Sequence, residues 1–527
     1  MEQPHSRSYT LQLDEIQGLI ASGYGDRPAA SYALFEVTDV ARARKWIARI
    51  VPSIQFGGYR RTPRHMPPLL ADVCINLAFT YEGFEALQLD QVVLRGFSLP
   101  FQEGFSDPHR ARRLGDDGPS APENWTWGGP NNPDVHGMLA VFAGQQDANH
   151  ADIELPGQVI ASQICEENGL RLVKVLQAWP TNRALRKEHF GFRDGISNPR
   201  LAGLARQGAV DVIANGEVVL GYPNGYGKMP MSPELPTHLD RRGDLLLPGD
   251  DHLAPRRDFG RNGTYLVFWQ LAQDVKAFWN YIFRTAEQLP WSRLEREGGE
   301  RSGREAALWL AAKLMGRWPN GSPVTAYPER SGSIRHQDDN DFRFGSMGDA
   351  FGEKCPIGSH IRRTNPRDTA LPVPHDPELS GDPKDPTVQQ DRIDRANLHR
   401  ILRRGRPYGA PLDVDFDPET MLAASEALAP DDAERGMHFL CLNANLSRQF
   451  EFVRSNWMVN PTFAGLSRDP DPLLGPQRAC PFPASDFTLQ GYPPRQLRNL
   501  PRVVETRGGA YFFLPSRSAL QHLGRDL

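Results

Sequence analysis

Apolar and polar positions alternate along the first third of the chain in a regular sequence of blocks. Ser31-Tyr-Ala-Leu-Phe-Glu-Val-Thr38 is an apolar, aromatic-rich run of strand length. It is followed by a stretch with Val40, Ala43, Trp46, Ile47 and Ile50 at helical spacing, opened by Asp39, a residue suited to a helix N-cap. The pair repeats as a strand at Asp72–Phe79 and a helix from Thr80 to Leu87. A third strand is predicted at His136–Ala143, a helix within Asn149–Glu167 and a fourth strand at Leu170–Trp179. Between the second pair and the third strand, the turn-rich region Phe101–Asp134 carries Trp125 and Trp127, two rings able to fold an excursion back onto a core.

The pattern restarts after a Gly-, Pro- and Asp-rich segment. Gly263–Leu271 predicts a strand, and Asp274 opens a helix with Val275, Phe278, Trp279, Ile282 and Phe283. Met437–Ala444 predicts another strand, with a helix from Ser447 to Trp457. Arg502–Leu514 is a final strand interrupted by two glycines. Cys74-Ile-Asn-Leu before a helix is echoed by Cys441-Leu-Asn-Ala before a helix. Two copies of a β-α-β…β-α-β order predict an α+β protein of two ferredoxin-like, split βαβ domains with antiparallel sheets. The expected division is a lead-in at 1–30, an N-terminal domain at 31–202, a linking and covering segment at 203–260 and a C-terminal domain at 261–527.

Composition narrows the function classes. The chain has 527 residues and a net charge of −4, with no basic excess that would call for nucleic acid or an acidic membrane surface. Its five cysteines are odd in number and widely spaced, so they indicate neither a disulfide framework nor a zinc or iron–sulfur site. No apolar run long enough to span a membrane occurs, and a cytoplasmic location is expected. There is no Gly-x-Ser-x-Gly elbow, phosphate loop, His-Glu-x-x-His or dinucleotide fingerprint in the right context.

Three stretches carry candidate chemistry. Glu188-His-Phe-Gly-Phe-Arg-Asp-Gly-Ile-Ser-Asn-Pro199 sets Asp194 beside glycines, which favours a sharp turn presenting a carboxylate; an ordinary turn has the same composition. Lys354-Cys-Pro-Ile-Gly-Ser-His-Ile-Arg-Arg-Thr-Asn-Pro366 offers His360, which suits either a metal or an everyday hydrogen-bonding role. In His399-Arg-Ile-Leu-Arg-Arg-Gly-Arg-Pro-Tyr-Gly409 the cations read as a solvated or anion-binding patch. If 400–403 is a strand, Arg403 shares a face with Ile401 and turns inward, where it needs a carboxylate or a propionate as counter-charge.

Together these stretches resemble the dye-decolorizing peroxidase family of haem enzymes. Ile16–Ile20, Arg448–Val453 and Arg507–Pro515 also match, so the resemblance spans nearly the whole chain. It implies one haem b per chain, held between the sheet and helices of the C-terminal domain. His360 would be the axial iron ligand, Asp194 the distal acid and base, and Arg403 the distal arginine. Gly195, Ile196, Ser197 and Arg362 would be further cofactor contacts, and Glu451 the acid that hydrogen-bonds His360. The implied activity is reduction of H2O2 with one-electron oxidation of dyes, phenols or other small organic donors. The alternatives are a haem-handling, deferrochelatase-like protein and an interaction protein that has kept the fold and lost haem. Expected partners are peroxide and small donors, with no nucleic acid and no membrane; a homo-oligomer is left open. The Pro/Asp-rich loop Asn365–Asp391 is expected to cover or narrow the entrance to the haem.

Overall fold

The computed structural model describes residues 10–57, 73–144, 154–178, 187–240, 242–248, 255–289, 303–332, 340–369, 385–410, 433–476, 485–491 and 493–525. The Pro- and Arg-rich stretch at 60–68, expected from its composition to be a loop, and the middle of the 365–391 loop lie outside them. Among the described residues, no helix is long and apolar enough to cross a membrane.

The strands of the N-terminal half are β1 Ala29–Val37, β2 Val73–Phe79, β3 Gly137–Ala143 and β4 Leu170–Ala178. Those of the C-terminal half are β5 Thr264–Gln273, β6 Leu402–Arg403, β7 Arg406–Tyr408, β8 Gly436–Asn443 and β9 Val504–Leu514. All nine join one sheet, in the order β6-β8-β5-β9-β2-β3-β1-β4 with β7 also paired to β8. Every neighbouring pair is antiparallel. Each half is therefore a split βαβ unit, and the two α+β units are fused where Phe513 of β9 pairs with Phe79 of β2.

Helix α1, Val40–Ile50, forms where the apolar stripe predicts. The Asp39 side chain accepts the Arg42 N–H at its start, and Ala43, Trp46, Ile47 and Ile50 are buried. Trp46 meets Phe35 edge-on, with ring centroids 5.8 Å apart. The strands read as continuously apolar because both faces of the sheet are covered. Ala33, Phe35 and Val37 face the helices, while Tyr32 and Leu34 pack with Ile16, Leu19, Ile20, Val218 and Tyr222 of the lead-in and the covering segment. Trp125 and Trp127 are buried as expected. The two glycines of β9 mark a β-bulge at Arg507 and a close approach: a Cβ on Gly508 would lie 2.3 Å from the Trp127 indole.

In the C-terminal half, α2, Val275–Gln288, starts at Asp274, which accepts the Ala277 N–H. It packs against α3, Gly303–Met315. Phe190 and Phe192 insert into this core, and Arg193 N–H donates to Pro319 O at 3.0 Å. The Gly-x-x-Asp-Gly segment, assigned from sequence to residues 31–202, thus packs within the C-terminal half, because its two phenylalanines find their apolar partners there.

Candidate active site

A cavity opens between the C-terminal part of the sheet and the helices that cover it. Its empty space, with the open solvent at its mouth included, is ≈ 1580 Å³. The sheet wall follows from strand alternation: Trp269, Leu271 and Gln273 of β5, Met437 and Phe439 of β8, and Ile401 and Arg403 at β6. The opposite wall comes from α4, His360–Thr364, and from Phe450, Val453, Arg454 and Met458. The expected helix at 447–457 is a single α-turn, Phe450–Phe452, that widens into a π-helix over Val453–Met458.

His360 opens α4 and lines the cavity. Its Nδ1 is 2.9 and 3.1 Å from the two carboxylate oxygens of Asp471, which is completely buried. With Nδ1–H held there, Nε2 is the ring nitrogen left to offer a lone pair. Burial pushes the Asp471 carboxyl up, but His360 and the Leu474 N–H outweigh burial and hold it below its ordinary value. Asp471 is thus a fixed anion behind the imidazole.

Asp194 and Arg403 meet inside the cavity, Arg403 Nη1 donating to Asp194 Oδ1 at 2.9 Å. Both side chains keep about a third of their surface open, 29% for Arg403 and 36% for Asp194, as groups facing a cavity do. Burial pushes the Asp194 carboxyl up; the Arg403 guanidinium and the Gly195 backbone N–H more than offset this and hold it below its ordinary value. Asn198 grips the arginine's backbone from both sides: Arg403 N–H donates to its Oδ1 at 3.0 Å and its Nδ2 donates to Arg403 O at 3.2 Å. Gly191 at φ +90° and Gly195 at φ +80° make the turn that brings the motif to this point.

Ile196 and Ser197 also line the cavity. Between Asp194 and Ile196, Gly195 supplies the turn and an N–H to Asp194, with open space on the side where a Cβ would stand. Two expected contacts are corrected. Arg362 lies two residues beyond His360 on α4, about 200° around the helix, and so points away. It donates to Cys355 O, Asp349 O and Ala350 O and stacks on the Phe344 ring. Glu451 does not reach His360. It sits off the face that Phe450, Val453 and Arg454 turn to the cavity, and accepts hydrogen bonds from Arg110 and from Tyr511 OH. Asp471 fills the role instead. It lies in the run Ser467-Arg-Asp-Pro-Asp-Pro-Leu-Leu-Gly475, whose composition signals only turns.

One end of the cavity is cationic. Arg317, Arg367 and Arg400 line it, with Asp211 as the carboxylate paired to Arg400. Arg317 also donates to Ser197 Oγ at 2.9 Å. Burial, reinforced by the neighbouring Arg400 and Arg317, pushes Arg367 down to about 9. Such crowding of guanidiniums around one carboxylate suits a ligand that brings further negative charge. The donor set fits an iron porphyrin: an imidazole on one wall, broad apolar faces from Trp269, Leu271, Phe439 and Leu474, and arginines at one end for two carboxylates.

No protein-family model matches the chain. Peroxidase 2 of Mycetinis scorodonius is 28% identical over 533 residues, spanning 98% of this chain and 88% of that protein. Multifunctional dye peroxidase DyP2 of Amycolatopsis sp. (strain ATCC 39116 / 75iv2) is 30% identical over 345 residues, 64% of this chain and 61% of that protein. Among solved structures, a dye-decolorizing peroxidase in complex with 2,6-dimethoxyphenol superposes with a TM-score of 0.68 at 22% identity, over 98% of this chain and 100% of that one. That last likeness is one of fold.

Proposed function

The chain belongs to the dye-decolorizing peroxidase family, haem-dependent oxidoreductases acting on peroxide, and from that premise we propose that it reduces H2O2 with Asp194 and Arg403 as its working pair and draws electrons from dyes, phenols or other small organic donors. The observation that carries this is the meeting of Asp194, Arg403 and His360 around one cavity from three distant parts of the chain. One haem b per chain is the cofactor we assign. His360 Nε2 would bind its iron, and Arg317, Arg367 and Arg400 would receive its carboxylates. When bound, the haem supplies an iron centre that takes up the oxidising equivalents of peroxide and passes them on singly.

The protein's part is proton placement and charge. An Asp194 carboxylate oxygen accepts the proton from one oxygen of H2O2 and returns it to the other as the O–O bond breaks. The Arg403 guanidinium beside it stabilises the negative charge that develops on the departing oxygen. Asp471 holds Nδ1–H, orients the ring and makes His360 a stronger donor. A protein that only carries haem has no use for a carboxylate–guanidinium pair facing the cavity.

The test is hemin titration followed by steady-state assay with H2O2 and a phenolic donor: a Soret band and peroxide-dependent turnover are expected, and absence of either sinks the proposal. The pH dependence has a definite sign. Asp194 must be ionised to accept a proton, and its carboxyl is held below the usual value. The accepting form is therefore present at neutral pH and is lost only as pH falls below about 4. The acid limb of kcat/KM for peroxide should lie there; a limb near 6.5, where an ordinary histidine titrates, would point to another base. Asp471→Asn removes the charge behind His360, and hemin titration should show affinity weakened by about 10–100-fold.

A further inference from the structure

Glu188 also borders the cavity, and the proton chemistry above makes no use of it. Its carboxylate closes the turn from which Asp194 emerges. Oε2 accepts the Phe190 N–H at 2.9 Å and the Gln273 Nε2–H at 2.7 Å; Oε1 accepts the Phe192 N–H at 2.9 Å. The backbone closes the same loop, Glu188 N–H donating to Phe192 O at 2.9 Å. The Phe190 and Phe192 rings are fixed in the C-terminal core, Phe190 against Phe278 at 4.7 Å, and Trp279 Nε1–H donates to Phe190 O. Between these two anchors Gly191, at φ +90°, gives the backbone no stiffness of its own. Two inward N–H groups would be orphaned there without an acceptor.

Gln273 ends the cavity-facing row of β5, so Glu188 ties the turn to the sheet strand that forms one wall of the site. We infer that Glu188 is a positioning residue for the peroxide reaction: it clamps the 188–192 turn to β5 and thereby sets where Asp194 stands relative to Arg403. This rests on the proposed role of Asp194. Placing an acid here opposes its ionisation. Burial pushes the Glu188 carboxyl up to about 7, against the pull of the three donors and with Asp194 adding to the rise. A carboxyl so raised serves stability poorly, whereas its two oxygens meet three donors that an apolar side chain could not satisfy.

The test is a double-mutant cycle on the haem-loaded protein. Glu188→Gln keeps the length of the side chain but has one acceptor oxygen where the carboxylate has two; Glu188→Ala has none. Peroxide kcat/KM should fall in the order parent, Glu188→Gln, Glu188→Ala, by about tenfold or more for the alanine variant. The loss should appear in kcat with haem affinity, measured by hemin titration, unchanged within about twofold. In an Asp194→Asn background, Glu188→Ala should have no further effect, because its action runs through Asp194. Full multiplicative loss in that background, loss of haem affinity, or unchanged kcat/KM in Glu188→Ala would each overturn the inference. If Asp194→Asn itself is as active as the parent, the proposed function fails with it; if Asp194→Asn is inactive and Glu188→Ala is not, only the positioning role is lost.

Discussion

His360→Ala is expected to give a folded protein that stays colourless when titrated with hemin. The ring is held from behind by Asp471 and offers its remaining nitrogen to the cavity. Among the described residues, His399 also lines the cavity; its Nδ1 is engaged with Arg448 O and its ring is stacked on Phe452, so a His360→Ala/His399→Ala double variant is the control for ligation through the Nε2 that this leaves open. The fold should survive, because His360 keeps 21% of its side chain open and Asp471 retains the Leu473 and Leu474 N–H donors when the imidazole is removed. Circular dichroism checks the fold and absorbance after hemin addition checks the ligand. A normal axial-histidine spectrum in the variant would remove His360 from its assigned place.

The second large effect belongs to the pair above the cavity. Asp194→Ala and Arg403→Ala should each lower kcat/KM for peroxide by about 10²–10⁴-fold, the range for losing a positioned acid–base group or an oriented charge. Haem content should be retained, since neither group supplies the iron ligand. The double variant should be little worse than the more damaged single one, because the two act as a unit through their 2.9 Å contact. Stopped-flow mixing with H2O2 reads this directly. Full peroxide reactivity in either variant would refute the assigned mechanism.

Much of this architecture could be read from residue pattern, and the failures have identifiable causes. The split βαβ order in each half, the Asp39 and Asp274 helix starts and the inward turn of Arg403 follow from local periodicity. The motif around Asp194 continues the N-terminal half in sequence yet packs against the C-terminal half, because which core receives Phe190 and Phe192 depends on contacts far away in sequence. Glu451 and Arg362 failed on helical phase: both lie near the right residues, one or two positions off the face that turns to the cavity. Asp471 left no periodic trace because it is presented by a proline-interrupted turn, where its Oδ1 accepts the Leu473 and Leu474 N–H groups. Arg317 lies at the end of an apolar helix, where nothing local distinguishes it from a surface cation.

The fusion of the two sheets has a consequence for how the molecule can be divided. β2 borders the N-terminal unit and β9 the C-terminal unit; their backbones meet at the single pair Phe79–Phe513, and side chains extend the seam, with Phe84 and Phe97 lying against Phe513. Severed between residues 203 and 260 and expressed separately, each piece would expose that apolar seam along an open strand edge ready to recruit a neighbour. Such fragments should precipitate or form mixed assemblies alone and regain solubility when co-expressed, which sedimentation of the two preparations would reveal.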